Sequence, residues 1–222
     1  DKRRYSEALK WIKEYNLQSE FDVKSIVRKL MDGKLYDEAL KWIKEYNLQS
    51  EFDVKSIIRE LVDKGECADA LMWIEEYNLQ SDVEFVELLV QKMISRHDYI
   101  SALEWIKELN LQSRFDVASL VWKLSESERY DKVLAWMKEF NLQESIKSLI
   151  RNMINRDQYY EALEAVEKSN LQSDIEFIKS LIQMMIDKGE YYYSSKWIRK
   201  FHQQLGPESI ESLIQRAINR GE

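Results

Sequence analysis

The stretch EALKWIKEYNLQSEFDVKSI, from Glu7 to Ile26, recurs letter for letter from Glu38 to Ile57. A chain that copies itself at so short a period folds into copied supersecondary units, because identical letters in equivalent surroundings bury identical faces. The Asn-Leu-Gln core of the stretch returns further on, at Asn16, Asn47, Asn78, Asn110, Asn141 and Asn170, with spacings of 31, 31, 32, 31 and 29 residues. A last copy has lost that core but keeps the aromatic start at Tyr191, then Trp197, Ile198 and a closing Asn-Arg-Gly-Glu. Seven repeats result, 5–35, 36–66, 67–98, 99–129, 130–158, 159–190 and 191–222, read as a single tandem-repeat domain.

Apolar spacing sets the content of each repeat. Tyr5, Ala8, Leu9, Ile12 and Tyr15 fall at helical intervals, and Val23, Ile26, Val27, Leu30 and Met31 form the stripe of a second amphipathic helix. Each repeat is thus expected to be a helical hairpin. One proline and five glycines in 222 residues leave long stretches uninterrupted, which favours helix. A hairpin of this size cannot bury its stripe alone, so the expected fold class is all-α, an α-solenoid of about seven hairpins of 29–32 residues stacked into a right-handed superhelix.

The links carry stop and start signals. Ser19 with Asp22, Ser50 with Asp53, Ser81 with Glu84, Ser113 with Asp116 and Ser173 with Glu176 fit a capping box, in which the serine caps the second helix. Gly206-Pro207 does this work in the last repeat. Gly33, Gly65, Gly189 and Gly221 stand where a left-handed residue ends the second helix. Asp1 to Arg4 reads as the tail of a preceding second helix, and this, with interior-type residues in both outer repeats, leads to the expectation that the chain is a segment of a longer protein.

Charge and cysteine usage narrow the setting. The formal charge of -7 disfavours general nucleic-acid binding, which draws on lysine and arginine at phosphates. Cys67 has no partner for an internal disulfide, no signal peptide opens the chain, and no apolar run reaches membrane-spanning length, so an intracellular, cytoplasmic or nuclear, soluble protein without membrane contact is expected. His97 and His202 lie in separate repeats, and no metal-ligand spacing, phosphate loop or nucleophile motif is present. The expectation is therefore no enzyme, no metal and no cofactor.

Three sets of residues invite a function. Trp11, Trp42, Trp73, Trp105, Trp136 and Trp197 hold one position in their repeats, with Ala165 replacing tryptophan in the sixth; beside Ile12-type core positions they read as packing between repeats, the alternative being a stacking platform. The six asparagines read as turns closing the first helix in left-handed conformation. Trp122 stands on a second helix where other repeats carry arginine, lysine or similar residues, and is the candidate contact residue. Glu84 and Glu87 join it, because repeat 67–98 holds seven acidic and two basic residues and so forms an acidic belt able to orient a partner.

The unit aromatic-x-x-Ala-Leu-x-Trp-Ile-x-Glu-Tyr-Asn-Leu-Gln-Ser-x-Phe-Asp-Val, followed by an apolar helix and a charged turn, resembles two families. One is the helical N-terminal region of Nibbler-type exoribonucleases, which implies docking of small-RNA pathway partners. The other is the FRIGIDA-like plant proteins, which implies a scaffold for transcription and chromatin complexes; the Pro-Pro that follows their phenylalanine is absent after Phe21, Phe52 and Phe115. The expected function is a non-catalytic protein–protein interaction scaffold. The alternative is a single-stranded RNA-binding array reading bases at the variable site of Lys10, Lys41, Met72, Glu104, Ala135, Glu164 and Lys196. A further reading is self-association through the terminal repeats.

Overall fold

A computed structural model describes residues 2–125 and 130–220, and among these every regular element is a helix. The chain divides into two compact units, Asp1–Phe115 and Asp116–Glu222. The first contains α1 (Lys2–Glu14), α2 (Val23–Asp32), α3 (Tyr36–Glu45), α4 (Val54–Lys64), α5 (Cys67–Glu76), α6 (Val83–Ser95) and α7 (Tyr99–Glu108). Lys2 to Arg4 form the first turn of α1, not the tail of a separate helix, since nothing between Arg4 and Tyr5 breaks the helical run. The second unit contains α8 (Val117–Leu124), α9 (Tyr130–Glu139), α10 (Gln143–Asn155), α11 (Tyr159–Lys168), a 3₁₀ turn (Leu171–Ser173), α12 (Ile175–Asp187), α13 (Tyr191–Lys200) and α14 (His202–Arg220).

Within the first unit α1 packs on α2, α2 on α3, α3 on α4, α4 on α5, and α6 on α7. Second helices also meet second helices, as α4 and α6 do, while the first helices α5 and α7 meet each other. The second unit follows the same rule, with α10 against α12 and α12 against α14. The apolar stripes seen in sequence supply the core: Leu9, Ile12, Val23, Val27 and Leu30 in the first hairpin, Leu40, Ile43, Ile57, Ile58 and Leu61 in the second. Each such side chain contributes about 1.5–3 kcal/mol relative to an exposed one.

Both ends of the hairpins stop in the same way. Asn16, Asn47, Asn78, Asn110, Asn141 and Asn170 all have φ between 53° and 55°. The next residue reaches back five positions, Leu17 N–H to Ile12 O and Leu48 N–H to Ile43 O at 2.8 Å, which closes the helix as a Schellman motif. The second helices end likewise, on left-handed Gly65, His97, Asp157 and Gly189. At the first of them the expected glycine does not serve. Gly33 is right-handed (φ -76°) and Lys34 takes the left-handed position (φ 58°), because the last turn extends through Gly33 before the chain reverses. Gly221 lies outside the described residues.

The serine capping boxes are not formed. The N-cap is an aspartate in every case: Asp22 accepts from Ser25 N–H and Asp53 from Ser56 N–H at 3.0 Å, with Asp82, Asp116 and Asp174 doing the same. Ser19 instead bonds the Glu20 carboxylate. The cause is a turn in the link, seen in Glu20 N–H to Leu17 O, that delays the helix and brings the aspartate to the cap, where its charge suits the helix N-terminus. In α14, Gly206 (φ 71°, ψ 163°) breaks the helix and Pro207 opens the stretch that follows.

Candidate functional site

The tryptophan position is where consecutive repeats meet. The Trp73 indole N–H, on α5, donates to Asp37 Oδ1 at 2.7 Å, in the first turn of α3. One turn on, Tyr77 Oη donates to Leu40 O at 2.7 Å, and the Trp73 and Tyr77 rings lie 5.8 Å apart. Burial raises the Tyr77 phenol well above its ordinary value, so it stays a donor. Tyr46 Oη makes the matching bond to Leu9 O. An aromatic pair four residues apart thus clamps α5 to α3, one ring reading a carboxylate and the other a main-chain carbonyl, and Tyr46 ties α3 to α1 in the same way.

Trp42, Trp73, Trp105 and Trp197 are buried, Trp136 is half-buried, and Trp11 is 58% exposed. In the sixth repeat the pair is missing altogether, with Ala165 in place of the tryptophan and Ser169 in place of the tyrosine. An open groove of about 460 Å³ lies there between α9 and α11. Its floor is Leu134, Met153 and Ala165, all nearly inaccessible. Asp131, Glu161 and Glu164 line its walls, together with Tyr130, whose hydroxyl is held by Arg156 at 3.0 Å. Glu164 is tied to Lys168 at 2.7 Å. Asp131 occupies in α9 the place that Asp37 occupies in α3, second residue of the helix after a tyrosine.

Two polar atoms of the fifth and sixth repeats are left unanswered. Gln158 Oε1, in the groove lining, and Ser169 Oγ are buried with no hydrogen-bond partner among the described residues. Unsatisfied buried groups cost free energy, on the order of 1–3 kcal/mol each, and are few in folded proteins.

The residues singled out in the sequence fall elsewhere. Trp122 is half-buried in the last turn of α8, its carbonyl accepting from Ser125 N–H and Oγ, and it does not line the groove. Glu84 is exposed in the first turn of α6. Glu87 is half-buried, with Arg114 Nε 3.2 Å from Oε1, an ion pair that lacks hydrogen-bond alignment. Other members of the acidic belt are engaged between repeats, Glu76 with Lys44 and Asp82 with Lys55. The RNA-reading site proposed from variation, from Lys10 to Lys196, is exposed in all repeats and includes Glu164 of the groove wall.

Among the described residues no group of three or more histidine, cysteine, aspartate or glutamate side chains is placed to hold a metal ion, and no helix is long and apolar enough to cross a membrane. Cys67 is buried, which pushes its thiol above the ordinary range, and its sulfur lies 3.7 Å from an Asp98 oxygen. No family model, curated protein or solved structure matches the chain significantly.

Proposed function

We propose that this chain is a non-catalytic protein-interaction scaffold, an α-solenoid of seven helical hairpins that works inside the cell and holds a partner polypeptide at the groove between α9 and α11. The observation that carries this reading is the missing aromatic pair of the sixth repeat. At α3 and α5 the side chains of Trp73 and Tyr77 bond across the junction and the recess beside them is lined by Lys41, Lys44, Glu45 and Trp73, whereas at Ala165 the recess has an apolar floor of Leu134, Met153 and Ala165 with polar walls. A recess of this type binds without much ordering of the receptor, so little of the contact energy is lost to preorganisation. The acidic walls favour a polypeptide over a phosphate backbone.

The test is capture of partners from a native lysate by the wild-type chain and by Ala165→Trp, with and without ribonuclease. Recovery of a protein set that survives ribonuclease and is lost with Ala165→Trp is the expected result. A set unchanged by Ala165→Trp removes the groove from the interaction, and a set that vanishes with RNA makes the chain an RNA-associated array.

A further inference from the structure

We infer that repeat seven binds repeat one of a second copy of this chain, the α13–α14 face taking the α1–α2 hairpin as a further repeat. This contact is independent of the groove at Ala165. Positions that are covered at interior junctions stand open at these two repeats. Seven and three residues before Gly65 and Gly189, where α4 and α12 stop, are Ile58 and Val62, and Ile182 and Ile186, all buried. The same count back from Gly221 reaches Ile214 and Ile218, which are 50% and 54% exposed. Four residues apart, they share one face of α14, and with Tyr191 and Ile198 of α13 they line an open groove of about 510 Å³. Repeat one is open on the complementary side. Trp11, Tyr15 and Phe21 are exposed there, although their counterparts Trp42, Tyr46 and Phe52 are buried or half-buried.

The bonds between neighbouring repeats identify the occupant. Tyr46 and Tyr77, four residues after their tryptophans, donate to Leu9 O and Leu40 O, two residues before the tryptophan of the preceding repeat. By the same offset Tyr15 of the incoming copy donates to Ser195 O, in the groove lining. A charge ladder runs beside these bonds. At three junctions the residue two after the tryptophan position pairs with the residue three after it in the next repeat. The pairs are Lys13 with Glu45, Lys44 with Glu76 and, with the charges exchanged, Glu167 with Lys200. Repeat seven offers Arg199 at the first of these positions and repeat one offers Glu14 at the second, both exposed and outside any ion pair among the described residues. Together they make the next rung. A second rung is mismatched. The second-helix lysine that reaches an acid in the next repeat's link, Lys24 to Glu51, Lys55 to Asp82 and Lys147 to Asp174, is replaced in repeat seven by Glu211, which opposes Glu20 of the incoming copy. That repulsion keeps the contact weak and reversible. Because it joins two different surfaces, the contact is heterologous, and each added copy leaves one surface of each kind open.

The experiment is sedimentation of the whole chain over a concentration series. The weight-average mass is expected to climb with concentration above that of one copy, without a plateau at two. Arg199→Glu and Glu14→Arg should each weaken association about tenfold, and Glu211→Lys should tighten it by a similar factor. An equimolar mixture of Arg199→Glu and Glu14→Arg chains should associate like wild type, since each variant's altered surface meets its complement on the other. All three side chains are exposed, so circular dichroism should report the same helix content in every variant. A mass fixed at one copy for wild type and Glu211→Lys alike overturns the inference. So does a plateau at two copies, or a loss with Arg199→Glu that Glu14→Arg does not share, because either outcome means an isologous contact.

Discussion

At the residue scale, the tryptophan junctions differ by single polar atoms. Trp42 Nε1 is buried with no acceptor among the described residues, because Ser6 stands where Asp37 serves Trp73, and the Ser6 hydroxyl is spent on Glu38 at 2.7 Å. Ser6→Asn supplies an amide oxygen for the indole and an amide N–H for Glu38, so both groups are answered. We expect it to raise stability by about 1 kcal/mol in urea unfolding, the scale of relieving one unsatisfied buried donor. Trp73→Phe should lower stability by a comparable amount by orphaning the Asp37 contact. Neutral behaviour of Ser6→Asn would mean that water satisfies Trp42. The sequence made the tryptophan stripe and the Ala165 gap visible, since both are matters of period. It did not disclose the acceptor, Asp37, because which first-turn residue faces an indole depends on the offset between stacked hairpins. The Tyr36-Asp37 start acquires meaning only once Trp73 is seen to bond Asp37.

At the element scale, helix existence was legible and helix entry was not. Ser-x-x-Asp and the overlapping Asp-x-x-Ser both fit cap chemistry, and the choice between them is made by the conformation of the link, which periodicity does not report. The two assignments make opposite predictions. Asp53→Ala should cost about 1 kcal/mol, the usual value of a lost N-cap, and Ser50→Ala should cost little. A larger loss for Ser50→Ala in thermal unfolding would restore the serine cap. The same aspartates give the fold an acid limb. At Asp82 the hydrogen bond from Lys55, then that from Phe85 N–H, holds the carboxyl below its ordinary value. At Asp174 the bond from Lys147, then that from Phe177 N–H, does the same. A carboxyl depressed in the folded state stabilises above its unfolded pKa, and this contribution is lost as pH falls through the folded value. Asp82→Asn should therefore melt below wild type near neutrality, the gap closing as pH falls through and below the ordinary aspartate range. A gap that is constant with pH would place the loss in packing instead of charge.

At the scale of the whole molecule, the duplicated stretch provides a comparison in which local sequence is held fixed. Residues 7–26 and 38–57 are identical, so intrinsic helix propensity, side-chain entropy and cap chemistry are the same in both. Their surroundings differ. Among the described side chains of α1 only Leu9 and Ile12 are buried, with Trp11 58% and Tyr15 65% exposed, whereas α3 buries Ala39, Leu40, Trp42 and Ile43 and lays Tyr46 on the Leu9 carbonyl. If stability resides in the contacts between neighbouring hairpins, as in one-dimensional repeat systems, amides of α3 should exchange more slowly than the same letters in α1. Covering one large side chain is worth about 1.5–3 kcal/mol, so the protection factors should differ by about ten- to a hundredfold. Hydrogen exchange resolved by residue decides it, each amide being compared with its copy 31 positions on. Equal protection along both copies would mean that the hairpins open together as one cooperative block, and that a helix here has no stability of its own to be set by its neighbours.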